Sequence, residues 1–339
     1  LLVTGGSART SGLLTRLEQL LNDFHPVTVC GIAAEPPLDE VDRLLQIGRQ
    51  KQVTAVVAVG GGSVIDTAKA AACLIPATGL IRDYFNGERR IATRGLFCAA
   101  LPTTAGTGAE ITPNAVFIEP SASIKKSIRH KYLVPDLAIV DPELTMPAPP
   151  DITAASGMDA LTQAIEAYVS LQANHTTDAL ALQAVALIFT HLQTACARPD
   201  DLEARTALAE GSMITAMAFS HSGLGAVHGI GHPVGSLLHL PHGRTCAILL
   251  TPVMRWNQSA TPEKFLKLAE ICGYNDAATF IDAIERLRTD IGIPADFRTA
   301  GLQEEHFDFI VRNCRSGSMK VNPRPMADAD VINLLRTLM

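Results

Sequence analysis

The sequence predicts an α/β N-terminal domain with a mostly parallel sheet over residues 1–148, followed by an all-helical C-terminal domain over residues 149–339. Three observations carry this. Strand-like and helix-like segments alternate through the first half, which requires crossover connections and hence parallel strands covered on both faces. A proline cluster, Met146-Pro147-Ala148-Pro149-Pro150, then interrupts the pattern where neither a helix nor a central strand can continue. Beyond it, helical periodicity dominates and strand-like alternation is scarce. A chain of 339 residues is also too long for one small core.

The elements follow in order. Leu1 to Thr4 reads as a strand, Ser11 to Asn22 as a helix and Val27 to Cys30 as a second strand. Leu38 to Gln50 has the spacing of an amphipathic helix. Val53 to Val59 is a continuous apolar, β-branched run that enters Gly60-Gly61-Gly62, the pattern of a buried strand, and Asp66 to Leu74 follows as a helix. Leu96 to Ala100 and Ala138 to Val140 are further strands. The second half predicts helices over Ala160 to Ser170, Asp178 to Thr190 and Leu202 to Met217, and more to the C-terminus. The chain opens at Leu1-Leu2-Val3-Thr4, inside a strand and without an initiator methionine, so residues upstream are expected.

Composition excludes several classes. Hydrophobic residues at 47% and charged residues at 18% describe a packed globular enzyme rather than a disordered chain. The net charge of −6 offers no basic face for a nucleic-acid backbone. No uninterrupted apolar run reaches the roughly 18 residues of a bilayer crossing, and no signal sequence opens the chain. Seven scattered cysteines without a C-x-x-C pair fit a reduced, cytoplasmic protein better than a disulfide framework.

Three glycine loops end strands in the first half. In Gly60-Gly61-Gly62-Ser63-Val64-Ile65-Asp66-Thr67-Ala68-Lys69, glycines let backbone approach a pyrophosphate, and a helix N-terminus supplies free N–H groups. Ser63 would cap that helix with Asp66 reaching back; an ordinary capped turn explains the same residues, and neither G-x-G-x-x-G nor a P-loop lysine is present. Pro102-Thr103-Thr104-Ala105-Gly106-Thr107-Gly108-Ala109-Glu110 offers small residues and hydroxyls to a ligand, or makes a solvent-exposed turn. Gly5-Gly6-Ser7 ends the first strand. Such loops at the carboxyl ends of neighbouring strands line the crevice of a dinucleotide-binding sheet.

The second half concentrates histidine. Of ten in the chain, His228, His232, His239 and His242 fall in one stretch, His228 and His232 at helical i,i+4 spacing and His242 on a tight turn after Leu240-Pro241. Imidazoles converging with a carboxylate make a metal site. Asp159 and Gln163, also i,i+4, lie on an otherwise apolar helix, where polar side chains need a partner. Taken singly, these residues also read as an N-cap, a half-buried amide and structural histidines.

With these segments in view, the chain resembles the iron-containing, or group III, alcohol dehydrogenase family over nearly its whole length. The resemblance rests on Gly60 to Lys69, Pro102 to Glu110, Pro135-Asp136 through Asp141-Pro142-Glu143 and Gly157 to Tyr168. It continues through Gly223-Leu224-Gly225-Ala226-Val227-His228-Gly229, His232-Pro233, Pro241-His242-Gly243 and Asn322-Pro323-Arg324-Pro325. It implies an α/β dinucleotide domain, a helical metal domain and an active site in the cleft between. It implies metal ligands at Asp159, Gln163, His228 and His242, for iron, zinc or manganese, and His232 as the catalytic proton-relay or nicotinamide contact. Cofactor contacts map to Gly5, Gly6, Ser7, Gly61, Gly62, Ser63, Asp66, Thr103, Thr104, Thr107, Asn114 and Lys125.

Two departures qualify the resemblance. Many members carry histidine where this chain has Gln163, and an amide oxygen there should weaken binding of zinc or ferrous iron relative to manganese or magnesium. NAD-preferring members often carry an aspartate at the end of the first strand, where this chain has Gly5; with Ser7 and Arg9 nearby, NADP(H) is the expected cofactor, NAD the other. The implied activity is metal-assisted hydride transfer between NAD(P)(H) and a small primary alcohol or aldehyde by a cytoplasmic homodimer, without nucleic-acid or membrane partners. The alternatives are a dehydroquinate synthase-like lyase or glycerol dehydrogenase-like relative, or a catalytically silent nucleotide-binding protein.

Overall fold

A computed structural model describes residues 1–119 and 124–339. These divide into two compact units, one of Leu1–Thr104 with Gly108–Pro147, the other of Ala105–Thr107 with Ala148–Met339.

The first unit runs β1 (Leu2–Gly5), α1 (Ser7–Thr10), α2 (Leu13–Leu20), β2 (Thr28–Ile32), α3 (Leu38–Gln50), β3 (Ala55–Gly60), α4 (Gly62–Leu74), α5 (Ile81–Phe85), β4 (Phe97–Pro102), β5 (Asn114–Glu119), β6 (Ile124–Arg129) and β7 (Leu137–Ala138). Five strands form a parallel sheet in the order β2-β1-β3-β4-β7. Because the connection from β1 leads to β2 on one side and the next, from β2, returns past β1 to β3 on the other, the chain reverses its winding between β1 and β3, and loops leaving the carboxyl ends of those strands diverge into a crevice. Val3, Val56, Ala58, Leu44, Leu45, Ile65 and Ala68 are fully buried between sheet and helices. The alternation of strand and helix signals is thus realised as a covered parallel sheet.

Several boundaries differ from expectation. The helix anticipated over Ser11 to Asn22 is the shorter α2, and a separate α1 precedes it, because Gly12 between them takes φ +77°, a left-handed conformation that no α-helix continues. The antiparallel β5–β6 hairpin carries too little alternation to be read beforehand, and the strand expected at Ala138 to Val140 shrinks to the short β7 at the sheet edge. Helix α4 starts at Gly62, four residues ahead of the expected Asp66.

The second unit contains α6 (Pro150–Val169), α7 (His175–Ala197), α8 (Leu202–Ser222), α9 (Ala226–Leu238), α10 (His242–Asn257), α11 (Pro262–Ile271), α12 (Ala277–Asp290), α13 (Phe307–Asn313), α14 (Gly317–Lys320) and α15 (Asp328–Arg336), with no strand among the described residues. The proline cluster starts α6 instead of merely ending what precedes it. Pro150 occupies the first helical position, where its missing N–H has no intrahelical partner to lose.

Helices α6, α7 and α8 pack together as the centre of this unit, and α10 lies against α6. By length and composition, α7 is apolar enough to cross a bilayer, which a count of unbroken apolar runs does not register. Here it buries Ala181, Ala184, Val185, Ile188 and Leu192 against its neighbours, and Asn174 caps its N-terminus.

Candidate functional site

Asp159 and Gln163 lie one turn apart in the middle of α6, and both are buried. The mid-helix position rules out the N-cap reading of Asp159. Asp159 Oδ1 and Gln163 Oε1 have no hydrogen-bond partner among the described residues. A buried oxygen left this way costs about 1–3 kcal/mol, so two on one helix call for something else to satisfy them.

The imidazoles arrive from α9 and α10. His228, fully inside, places Nε2 3.4 Å from Asp159 Oδ1, and His242 places Nε2 3.7 Å from the same atom. His242 is the first residue of α10, after Pro241 as N-cap, and not part of a tight turn. Gly243 makes this approach possible: a Cβ there would lie 2.0 Å from the Ala155 carbonyl oxygen of α6. His232, one turn after His228, sets its ring centroid 5.2 Å from that of His242 and 6.2 Å from that of His228. The shared face expected from i,i+4 spacing is therefore present.

Two residues that sequence reasoning passed over complete the cluster. Glu166 is buried on α6, with Oε2 2.5 Å from His228 Nδ1 and Oε1 accepting the Val227 N–H at 2.7 Å. A carboxylate can only accept, so Nδ1 carries a proton towards Glu166, and Nε2 is the nitrogen left to face Asp159 and to ligate a metal once it gives up its own proton. Cys246, one turn after His242, has Sγ 3.6 Å from His242 Nε2 and 4.0 Å from His228 Nε2. The ligating atoms of Asp159, His228, His242 and Cys246 all lie within 4.8 Å of one another. The i,i+4 signal was available for Cys246, which shares it with His242 once α10 is known to begin there, whereas Glu166 lies three residues after Gln163 and seven after Asp159 on α6.

The electrostatics of the cluster favour a cation. Burial lowers the pKa of His228, but Cys246, Glu166 and Asp159 outweigh it, so the imidazole holds a proton well above its usual range. Burial also pushes the Cys246 thiol up to about 11, against the pull of His228. Buried acidic groups around two imidazoles, with orphaned oxygens beside them, fit a divalent ion in chemistry and in spacing.

The glycine loops occupy the strand ends expected of them. Gly5 closes β1, Gly6 and Ser7 open α1, and Gly61 and Gly62 form the N-cap and first residue of α4. The Thr103 N–H donates to the Gly60 carbonyl at 3.0 Å, and Gly61 faces the Thr104 side chain, so the loops after β3 and β4 adjoin. Thr107 groups with the helical unit.

The capping expectation fails: Gly61 is the N-cap, and Ser63 Oγ accepts the Glu35 N–H at 3.1 Å. Asp66 does not reach back, since its Oδ1 pairs with Lys69 Nζ at 2.9 Å and its Oδ2 accepts the Val116 N–H at 2.9 Å. Lys125 Nζ pairs with Glu35 at 2.7 Å, and Asn114 opens β5 opposite Arg129.

Comparison with known proteins bears on the whole length. Residues 1–142 match the family described as iron-containing alcohol dehydrogenase, and residues 153–339 the C-terminal part of the Fe-containing alcohol dehydrogenase family. The long-chain-alcohol dehydrogenase 1 of Geobacillus thermodenitrificans is 35% identical over 312 residues, covering 88% of this chain and 78% of that protein. A 1,3-propanediol oxidoreductase structure superposes with TM-score 0.94 at 34% identity, over 100% of this chain and 91% of that one. Sulfoacetaldehyde reductase from Bifidobacterium kashiwanohense, solved with NAD+, gives TM-score 0.92 at 32% identity, over 99% and 90%.

Proposed function

This chain belongs to the iron-containing alcohol dehydrogenase family, and we propose how its own residues carry out the hydride transfer between alcohol and nicotinamide. It is an oxidoreductase acting on CH–OH donors with a nicotinamide cofactor and a divalent metal. The dehydroquinate synthase-like alternative finds no support among these relatives.

Asp159, His228 and His242 hold the ion, with Gln163 and Cys246 the two candidates for the remaining protein position. The observation that carries this is Asp159 Oδ1: buried, without a hydrogen bond, and within 3.7 Å of two imidazole nitrogens. A divalent ion bound there supplies Lewis acidity that polarises the oxygen of an alcohol or aldehyde. Glu166 keeps His228 in the Nε2-ligating tautomer. His232 exchanges the substrate's hydroxyl proton with solvent through an imidazole nitrogen.

In the α/β unit, backbone N–H groups of Gly61, Gly62 and Ser63 at the start of α4 receive the cofactor pyrophosphate, and Thr103 and Thr104 donate hydroxyls to it. Asp66 and Lys125 brace these loops, since they already bind Lys69 and Glu35, and Asn114 at the start of β5 remains a proposed cofactor contact. Gly5 leaves no carboxylate at the end of β1 to repel a 2′-phosphate, and Ser7 and Arg9 stand next to it in the chain, which supports NADP(H). All seven cysteines are free, in keeping with a cytoplasmic enzyme, and a homodimer follows the commonest symmetry.

Small primary alcohols and aldehydes are the proposed substrates. The test is a panel of aldehydes with NADPH and with NADH, run on protein of measured metal content. The reading expects metal-dependent reduction with higher kcat/KM for NADPH. A clear NADH advantage overturns the cofactor preference, and metal-loaded protein that turns over nothing with either cofactor overturns the substrate class.

A further inference from the structure

Cys246 lies at the metal cluster, and its sulfur meets the site's imidazoles. Its side chain is fully buried on α10, one turn past His242 and on the same face. Its polar neighbours are the two Nε2 atoms of His242 and His228, the same atoms that face Asp159.

The spacing is that of a coordination shell. Ordinary zinc bond lengths in a tetrahedron separate an oxygen from a nitrogen by roughly 3.4 Å and a sulfur from a nitrogen by about 3.6 Å. The corresponding distances here are 3.4 and 3.7 Å for Asp159 to His228 and His242, and 4.0 and 3.6 Å for Cys246 to the same two residues. The sulfur edge to His242 equals the tetrahedral value, and the edge to His228 is longer than it by about 0.4 Å, a gap that a small side-chain movement closes. Three helices converge to make the shell, with α6 giving the carboxylate, α9 one imidazole, and α10 the second imidazole together with the sulfur.

We propose that Cys246 is the fourth protein ligand of the metal, so that this chain holds its ion with the carboxylate of Asp159, the imidazoles of His228 and His242 and the thiolate of Cys246. The thiol proton leaves to solvent as the ion arrives. This rests on the metal-site reading above and changes its consequence. A glutamine in the fourth position would shift the site towards manganese or magnesium. A thiolate shifts it towards zinc or ferrous iron, whose soft character matches sulfur. Gln163 is then a neighbour of the shell on α6 rather than its fourth member.

The purified chain loaded with Co2+ alone tests this. The expectation is one cobalt per chain and an intense thiolate-to-cobalt charge-transfer band in the near ultraviolet. Cys246→Ser should lose that band while keeping its helical content, and should narrow the preference for Zn2+ over Mn2+ by about tenfold or more. A band that survives Cys246→Ser, or full cobalt occupancy without any such band, overturns the proposal while leaving the metal site intact. Failure to hold cobalt or zinc at all overturns the metal-site reading instead. X-ray absorption at the zinc edge of the unaltered protein needs no variant. One sulfur at about 2.3 Å supports the thiolate, and a shell of nitrogen and oxygen alone overturns it.

Discussion

At the metal cluster, Glu166 uses both carboxylate oxygens on α9, one on the Val227 N–H and one on His228 Nδ1. It touches no proposed substrate or cofactor, so it is a positioning residue acting through His228. Replacing it by glutamine leaves one acceptor oxygen but removes the charge that keeps the ring in the ligating tautomer. Glu166→Gln should weaken metal binding by about 10–100-fold at unchanged helical content, measured by competition with a chelator. His232 differs, since its role is proposed for the proton and not for the ion. His232→Ala should keep the metal stoichiometry and lower kcat by about 100-fold or more, with the pH profile of kcat altered. Loss of metal in that variant would place His232 in the coordination shell instead.

Among elements, the approach of α10 to α6 decides whether His242 reaches Asp159. Gly243 sits at that approach, and a methyl group there would meet the Ala155 carbonyl oxygen at 2.0 Å and Asp159 Cβ at 3.2 Å. Gly243→Ala should therefore displace α10, cost about 1–3 kcal/mol in stability and cut metal affinity together, read from thermal unfolding and metal content. Asn322 provides the contrast. It is buried between α9 and α10, accepts the Ala226 N–H at 3.1 Å and exchanges two hydrogen bonds with Asn257. Asn322→Ala should also cost about 1–3 kcal/mol, through the partners left unsatisfied, yet retain the metal because no ligand moves with it. The Asn322 to Pro325 motif is thereby a brace: Arg324 stacks 3.7 Å over the Trp256 ring and donates to the Trp256 carbonyl.

For the whole molecule, every proposed metal ligand belongs to the helical unit, whereas the glycine loops after β1 and β3 belong to the α/β unit. The two ligands should therefore leave separate footprints. Hydrogen exchange with added metal should slow in peptides from α6, α9 and α10, and with NADP(H) in peptides following β1 and β3. At about 100 times its dissociation constant, the metal should add roughly 2.7 kcal/mol to the stability of the state that binds it. Chelation that leaves exchange in α6, α9 and α10 unchanged would contradict the placement.

Much of this was legible beforehand. Alternating strand and helix signals, a β-branched run ending in three glycines and a proline cluster specify a parallel α/β unit followed by helices, because hydrophobic period and backbone freedom act locally. Asp159, His228 and His242 were legible as candidate ligands, because carboxylate and imidazole are rare on apolar helices and because the family resemblance maps its ligands there. Other features depended on packing between distant segments. The β5–β6 hairpin forms where its own alternation is weak, and Ser63 and Asp66 turn from capping α4 to Glu35 and Val116. The choice of Cys246 among seven cysteines, and of Glu166 among many carboxylates, follows from where α10 begins and how closely Gly243 lets it lie on α6. Most elements and the kinds of candidate ligand were written in local chemistry. Which side chains share one point in space came from packing, since it depends on helices brought together across some eighty residues of chain.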